Sequence, residues 1–311
     1  MYIDTHCHVN FTDFKDDWQE VLERAQKNDT WAIVVGTKMS NNLRAVNIAK
    51  QYPKGVYAAV GVHPVQLIDT EFEEFDGASG KKIMIKSPAE KFDYDQYRDL
   101  ILKSINEVPV QRSFMRNNAW GRIVAIGECG LDFYHLPEGL TAFKREELID
   151  QQIKVFKEHL RLANDTQLPV IMHCRGSKDT PDDAYDVMLD VLKHAKLRYG
   201  TNLKGVLHCF SGSAEQAKKF LDLGFLLGFT GVITYEKSDK YEKMLRDLPL
   251  NKLLIETDSP YLTPDPYRGQ RNEPSYVKRV AETIAKYKGI TVYEVAKATT
   301  DNALELFNLR Y

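Results

Sequence analysis

The chain has 311 residues, 43% hydrophobic and 28% charged, an ordinary globular composition with enough length for a large buried core. Its formal net charge is −2 and its pI about 6.5, so no global basic field draws in nucleic acid, and any such binding must come from a local patch or from bound metal. There is no run of about 18 apolar residues, and MYIDTHCH lacks a long apolar leader core, so neither a membrane span nor a signal peptide is expected.

Strands are expected, in chain order, over residues 2–6, 31–36, 56–61, 122–128, 169–173, 204–208, 225–229 and 252–256. They are mostly continuous apolar runs rather than alternating ones, as parallel strands covered on both faces should be. Amphipathic stretches at 18–27, 43–51, 94–106, 143–164, 184–199 and 214–223 alternate with them, and helices over 274–288 and 291–307 end the chain. Repeated strand–helix units of this kind close into a TIM-type (β/α)8 barrel more naturally than into an open sheet, so residues 1–311 are expected to form one α/β domain. One stretch breaks the rhythm. About 60 residues separate Gly61 from Arg122, roughly twice what one helix and two short loops take. Residues 69–118 are charged and contain the turn-like Gly77-Ala78-Ser79-Gly80, and they are expected to be a loop insertion on the barrel.

Polar residues fall where these strands end. His6 and His8 close the first strand, Glu128 the fourth, His173 the fifth and His208 the sixth, while Asp258 lies just past the eighth. The carboxyl ends of barrel strands are where active sites are built. Side chains two apart on a strand share a face, so His6 and His8 can aim both imidazoles at one ion. Glu128 has two oxygens and could bridge a second ion, which His173 and His208 could complete. Asp258 could ligate the first ion and also accept a proton. Two metals about 3.5–4 Å apart would clamp the attacking and leaving oxygens of a phosphoryl displacement and acidify a bound water. His159 and His194 lie in charged helical stretches and are expected to be solvated, and His135 sits in a loop.

Cys7, Cys129, Cys174 and Cys209 form no CxxC pair, and each adjoins a candidate ligand. Buried free thiols are expected, with no disulfide framework. That favours a reducing compartment, the cytoplasm or, in a eukaryote, the nucleus.

The motifs stand as Asp4-Thr5-His6-Cys7-His8, Gly61-Val62-His63-Pro64, Gly127-Glu128-Cys129-Gly130-Leu131-Asp132, Met172-His173-Cys174-Arg175, His208-Cys209-Phe210-Ser211-Gly212 and Glu256-Thr257-Asp258-Ser259-Pro260-Tyr261, followed by Arg268-Gly269-Gln270-Arg271-Asn272-Glu273-Pro274. Together they resemble the TatD family of metal-dependent deoxyribonucleases, within the amidohydrolase-like barrels, over nearly the whole chain. The resemblance implies a TIM-type barrel, two divalent ions (Mg²⁺, Mn²⁺ or Zn²⁺) and 3′–5′ exonuclease activity on DNA, single-stranded or at duplex ends, by a monomer. It implies that His6, His8, Glu128 and Asp258 hold one metal, and Glu128, His173 and His208 the other. Residues 69–118 are longer than in many relatives, and Val65 stands where some carry a histidine, which leaves His63 as the only histidine of its loop. His63 is expected to touch substrate or transfer a proton beside Asp258 and Glu128. Arg175 follows His173 by two residues, and its guanidinium suits a phosphate oxygen. Arg268 and Arg271 could form a basic lip, and Glu256 is expected to support its neighbours. A carbamylated lysine at strand four would have marked the phosphotriesterase-like barrels; Glu128 stands there instead. Other ester or amide bonds, such as that of D-aminoacyl-tRNA, are the alternative substrates. A non-catalytic metal-binding protein fits less well, because structural zinc favours a compact Cys/His tetrad.

Overall fold

A computed structural model describes residues 1–76, 81–106 and 122–309. The apolar runs fold as parallel strands because each is covered on both faces; every residue of the second strand and of the long sixth strand is buried. In chain order the strands are β1 (Tyr2–Cys7), β2 (Thr30–Val35), β3 (Val56–Val60), β4 (Thr70–Asp76), β5 (Lys81–Ser87), β6 (Ile123–Asp132), β7 (Val170–Arg175), β8 (Gly205–Leu207), β9 (Leu226–Phe229) and β10 (Leu253–Ile255). Among the described residues, eight of them form one sheet in the order β1-β2-β3-β6-β7-β8-β9-β10, every pairing parallel. The seam between β10 and β1 closes just beyond the last strand. Asp258 N–H donates to His6 O at 2.8 Å, and His8 N–H donates to Ser259 O at 2.7 Å. The fold is a TIM-type barrel.

The helices are α1 (Trp18–Lys27), α2 (Met39–Lys50), α3 (Tyr94–Asn106), α4 (Ala142–Thr166), α5 (Asp183–Tyr199), α6 (Ala214–Asp222), α7 (Val232–Tyr235), α8 (Lys240–Asp247), α9 (Val277–Lys288) and α10 (Val292–Leu306). Local chemistry sets several of their starts. Ser213 with Gln216, and Thr291 with Glu294, form reciprocal capping boxes on α6 and α10, and Thr141 accepts from Lys144 N–H at the start of α4. Alternate strand residues divide between two cores. The larger lies where strands meet helices. The smaller gathers Ile33, Val35, Ala59, Ile171, Val206 and Leu254 from different strands with Phe307 from the chain's end, so it fills the space those strands enclose.

Three expectations need correcting. The insertion is more than a loop: β4 and β5 pair as an antiparallel hairpin, with Glu71 opposite Lys86 and Asp76 opposite Lys81 in the register, ahead of α3, which forms over the expected residues 94–106. The proposed Gly77–Gly80 turn and residues 107–118 lie outside the described residues. β6 does not end at Glu128 but runs four residues further, to Asp132. His159 is fully buried, not solvated: Val62 N–H donates to its Nε2 at 3.0 Å, and its Nδ1 lies 2.8 Å from Val155 O. His194 is exposed, as expected. Among the described residues no helix is long and apolar enough to cross a membrane.

Candidate metal centre

Six strands aim side chains at one point on the barrel's carboxyl rim. β1 brings His6 and, one residue past its end, His8; their Nε2 atoms stand 3.1 Å apart. Glu128 projects inward from β6 and turns its two oxygens to different partners. Oε2 is 3.4 Å from His6 Nε2 and 3.8 Å from His8 Nε2. Oε1 is 3.0 Å from His173 Nδ1, 3.6 Å from His63 Nε2 and 3.8 Å from His208 Nε2. Asp258, three residues past β10, places Oδ1 3.3 Å from His8 Nε2, 3.7 Å from His6 Nε2 and 3.8 Å from His208 Nε2.

These spacings suit a shared ion. Donors at zinc-type bond lengths of about 2.0–2.2 Å around a tetrahedral ion stand about 3.3–3.6 Å from one another. Among the described residues, three donor groups meet closely enough to hold a cation: His6 with His8 and Asp258; His6 with Glu128 and His208; His63 with Glu128 and His173. Outer partners orient the rings as ligating histidines are usually oriented. His8 Nδ1 lies 2.9 Å from Val35 O, His208 Nδ1 2.9 Å from Glu256 Oε1, and His173 Nε2 2.9 Å from Asp132 Oδ2. In each case the other ring nitrogen faces the centre. The buried His6 Nδ1 has no hydrogen-bond partner among the described residues. The residues present therefore fit divalent metal.

Two glycines explain the Gly-Glu-Cys-Gly motif. Gly127 and Gly130 adopt φ of 150° and 143°, where side chains are rarely tolerated. A Cβ on Gly130 would stand 2.0 Å from His173 O, and one on Gly127 2.6 Å from Ile171 O. Both β6 glycines let the backbone approach β7 closely, and that approach sets Glu128 beside His173.

The electrostatics follow from burial and the neighbouring rings. Burial works against the Glu128 carboxylate, but His63, His6 and a hydrogen bond from His173 hold its pKa well below the usual range. Asp258 is also lowered: burial opposes, and His208, His8 and His6 outweigh it. Burial disfavours charge on His173, yet hydrogen bonds to Asp132 and Glu128 carry its pKa up to about 9. Burial, with His173 adjacent, lowers His63 to about 3, so that ring is neutral. Val65 N–H donates to His63 Nδ1 at 3.2 Å, which leaves the ring proton on Nε2, facing Glu128. His63 is thus set as a hydrogen-bond donor at the centre.

Other expected site residues lie around this core. Arg175 is exposed at the mouth, its Cζ 4.0 Å over the Tyr134 ring, and it does not belong to the donor cluster. His135 turns back on Asp132, with Nδ1 2.8 Å from Oδ2 and its N–H donating to Oδ1 at 2.9 Å. Of the expected basic lip, Arg271 is pulled away: it pairs with Asp17 and lies over Phe14. Arg268 stays on the rim, with Cζ 3.8 Å over Tyr235. Glu256 supports its neighbours as expected, accepting from Cys209 N–H at 2.5 Å beside His208. The four cysteines are free thiols, and only Cys209 is partly exposed.

Two acids escaped notice in the sequence. Asp132 orients His173, and Asp4 fastens β1 to the exit of β10 by accepting from Thr257 N–H at 2.8 Å and from Thr257 Oγ1 at 2.6 Å. The signal was available, because a carboxyl inside an apolar strand is costly unless partnered.

The family profile described as TatD related DNase matches residues 3–308. The chain belongs to the TatD family. YabD of Bacillus subtilis (strain 168), named an uncharacterized metal-dependent hydrolase, is 35% identical over 310 residues, covering 99% of this chain and 100% of that protein. YcfH of Escherichia coli (strain K12), named likewise, is 32% identical over 311 residues, covering 99% and 96%. Among solved structures, the TatD homolog YjjV from Escherichia coli K12 superposes with a TM-score of 0.70 at 30% identity, covering 99% of this chain and 98% of that one. This TatD-family chain is accordingly a metal-dependent hydrolase on a TIM-type barrel.

Proposed function

We propose that this hydrolase cleaves phosphodiester bonds in DNA, removing nucleotides from the 3′ end, with two divalent ions sharing Glu128. The observation that carries the reading is the division of Glu128 between two imidazole sets, Oε2 toward His6 and His8, and Oε1 toward His173 and His208. A carboxylate so placed suits a two-ion centre, which matches the two oxygens of a phosphoryl displacement better than a single carbonyl. Bound ions would supply charge neutralisation and a water acidic enough to react near neutral pH.

The chain's own groups take the remaining roles. Asp258 is ionised, and its side chain keeps 15% of its exposure, so it can take a proton from the attacking water. His63, neutral with its proton on Nε2, can donate to an oxygen of the substrate. Arg175 on the rim can contact a phosphate next to the cleaved bond.

The test uses purified protein with Mg²⁺, Mn²⁺ or Zn²⁺ on end-labelled single- and double-stranded DNA, beside D-aminoacyl-tRNA. Stepwise release of nucleotides from the 3′ end is expected. Deacylation with no DNA cleavage under any metal would replace this reading by an ester hydrolase.

A further inference from the structure

Two arginines flank the mouth of the centre in the same unusual setting. Arg175 ends β7 and lies over the ring of Tyr134, which follows β6. Arg268, in the loop after β10, lies over the ring of Tyr235, which ends α7 after β9. Between them, after β8, stands Cys209, the partly exposed cysteine next to His208. Arg175 follows His173 by two residues at the end of β7, and Arg268 follows Asp258 by ten residues in the loop beyond β10, so both leave the barrel at its carboxyl rim.

Neither has an ion-pair partner among the described residues, whereas Arg271, three residues beyond Arg268, is held by Asp17. Arg268 gives one N–H to Thr263 O at 2.9 Å, which fixes the guanidinium on its ring. An arginine laid on an aromatic face loses little further freedom on binding and keeps N–H groups at its edge for a planar or tetrahedral oxyanion.

We propose that Arg175 and Arg268 grip backbone phosphates of the DNA strand other than the one being cleaved, so that the centre is built for a continuous DNA strand and not for an isolated phosphate ester. This inference rests on the phosphodiester reading above. It identifies what the global charge of −2 leaves unexplained, a local pair of cations confined to the rim. Lys178 does not extend the pair, because its Nζ is 2.6 Å from Glu138 Oε1.

The experiment compares wild type, Arg175→Gln, Arg268→Gln, the double variant and Arg271→Gln in the metal-loaded enzyme. The substrates are a single-stranded oligonucleotide and bis(4-nitrophenyl) phosphate, a diester with no flanking phosphates. For each rim variant, the ratio of kcat/KM on the oligonucleotide to that on the small diester is expected to fall about tenfold or more. The slope of log kcat/KM against log salt on the oligonucleotide should shrink by about 0.7 per rim arginine removed, the contribution of one phosphate contact on a single strand. Arg271→Gln, which loosens the contacts to Asp13, Asp17 and Phe14 away from the centre, should leave that slope alone. Melting temperatures check that each variant is folded. An unchanged ratio and slope in the double variant, with the oligonucleotide still cleaved by wild type, would overturn the arginine pair and leave the DNA reading standing. Turnover of the small diester with no cleavage of any oligonucleotide by wild type would overturn both.

Discussion

Asp258 adopts φ of 57°, a left-handed conformation that asparagine and aspartate tolerate best among residues with a side chain. That turn, just after the barrel seam closes through its own N–H, points its carboxylate back among His6, His8 and His208. Asp258→Asn keeps the shape and removes the charge and the basicity. Turnover on DNA at saturating metal should fall at least about 10²-fold, the lower range for losing a general base, while the melting temperature stays within a few degrees. Near wild-type turnover with full metal content would take Asp258 out of proton transfer and leave His63 as the candidate. His159 supplies a different prediction, one about stability. Burial lowers its pKa from the ordinary 6.5 to about 4, against a small opposing hydrogen bond to Val155 O. The unfolded chain therefore binds the proton more readily than the folded one between pH 6.5 and 4, and stability falls as pH drops through that window. At pH 5 the loss from this group is about 2 kcal/mol, at 1.36 kcal/mol per unit. His159→Gln should be less stable than wild type at pH 7, yet lose less between pH 7 and pH 5 in urea unfolding. Equal losses in the two proteins would assign the acid sensitivity to other groups.

The strands were easy to read because burial on both faces writes them as unbroken apolar runs, such as Trp31 to Val35 and Ile123 to Ile126. What the runs could not show is how far β6 continues, since Glu128, Gly130 and Asp132 interrupt its apolar character where the chemistry begins. The short helix α8 was missed because it buries only Tyr241, Met244 and Leu245 within a charged stretch. The β4–β5 hairpin is hard to see in the sequence because charged residues dominate its composition. Thr70-Glu71-Phe72-Glu73 alternates with period two, which is a strand signal. In the centre, every residue expected to ligate arrived at the rim, but His63 came closer to Glu128 than its loop position suggested, and the orienting role of Asp132 needs the β6–β7 register to be seen at all. That register depends on Gly130. Gly130→Ala forces a Cβ onto His173 O at a φ that side chains avoid, and it should destabilise the fold by at least about 2 kcal/mol. It should also weaken metal binding by displacing His173 from Glu128. A variant with wild-type metal affinity and melting temperature would mean that β7 shifts without cost.

At the scale of the whole molecule, the centre ties together strands that are far apart in sequence. His6 belongs to β1 and His8 to its exit, Glu128 to β6, His173 to β7, and His208 and Asp258 to the exits of β8 and β10. The seam between β1 and β10 is held by two backbone hydrogen bonds and by Asp4, and a metal held by His6, His8 and Asp258 would span that same seam. Binding to the folded state alone stabilises it by about 2.7 kcal/mol per site when free metal is a hundredfold above Kd, or roughly 5 kcal/mol for two sites. For a chain of this size that corresponds to a melting-temperature rise on the order of 5–10 °C, since each kcal/mol moves a large domain by about 2 °C. Protons compete with metal for the same imidazoles and carboxylates, so the rise should shrink as pH falls from 7.5 to 6. Glu128→Gln leaves His6, His8 and Asp258 in place but removes the charge shared between the two imidazole sets. It should keep at most one tight ion and about half of the metal-dependent rise. The measurement is calorimetry with and without a chelator, with metal content determined on the same samples. A chelator-insensitive melting temperature in wild type would mean that the seam is held without metal. A full two-ion rise in Glu128→Gln would mean that the two sites do not share this carboxylate.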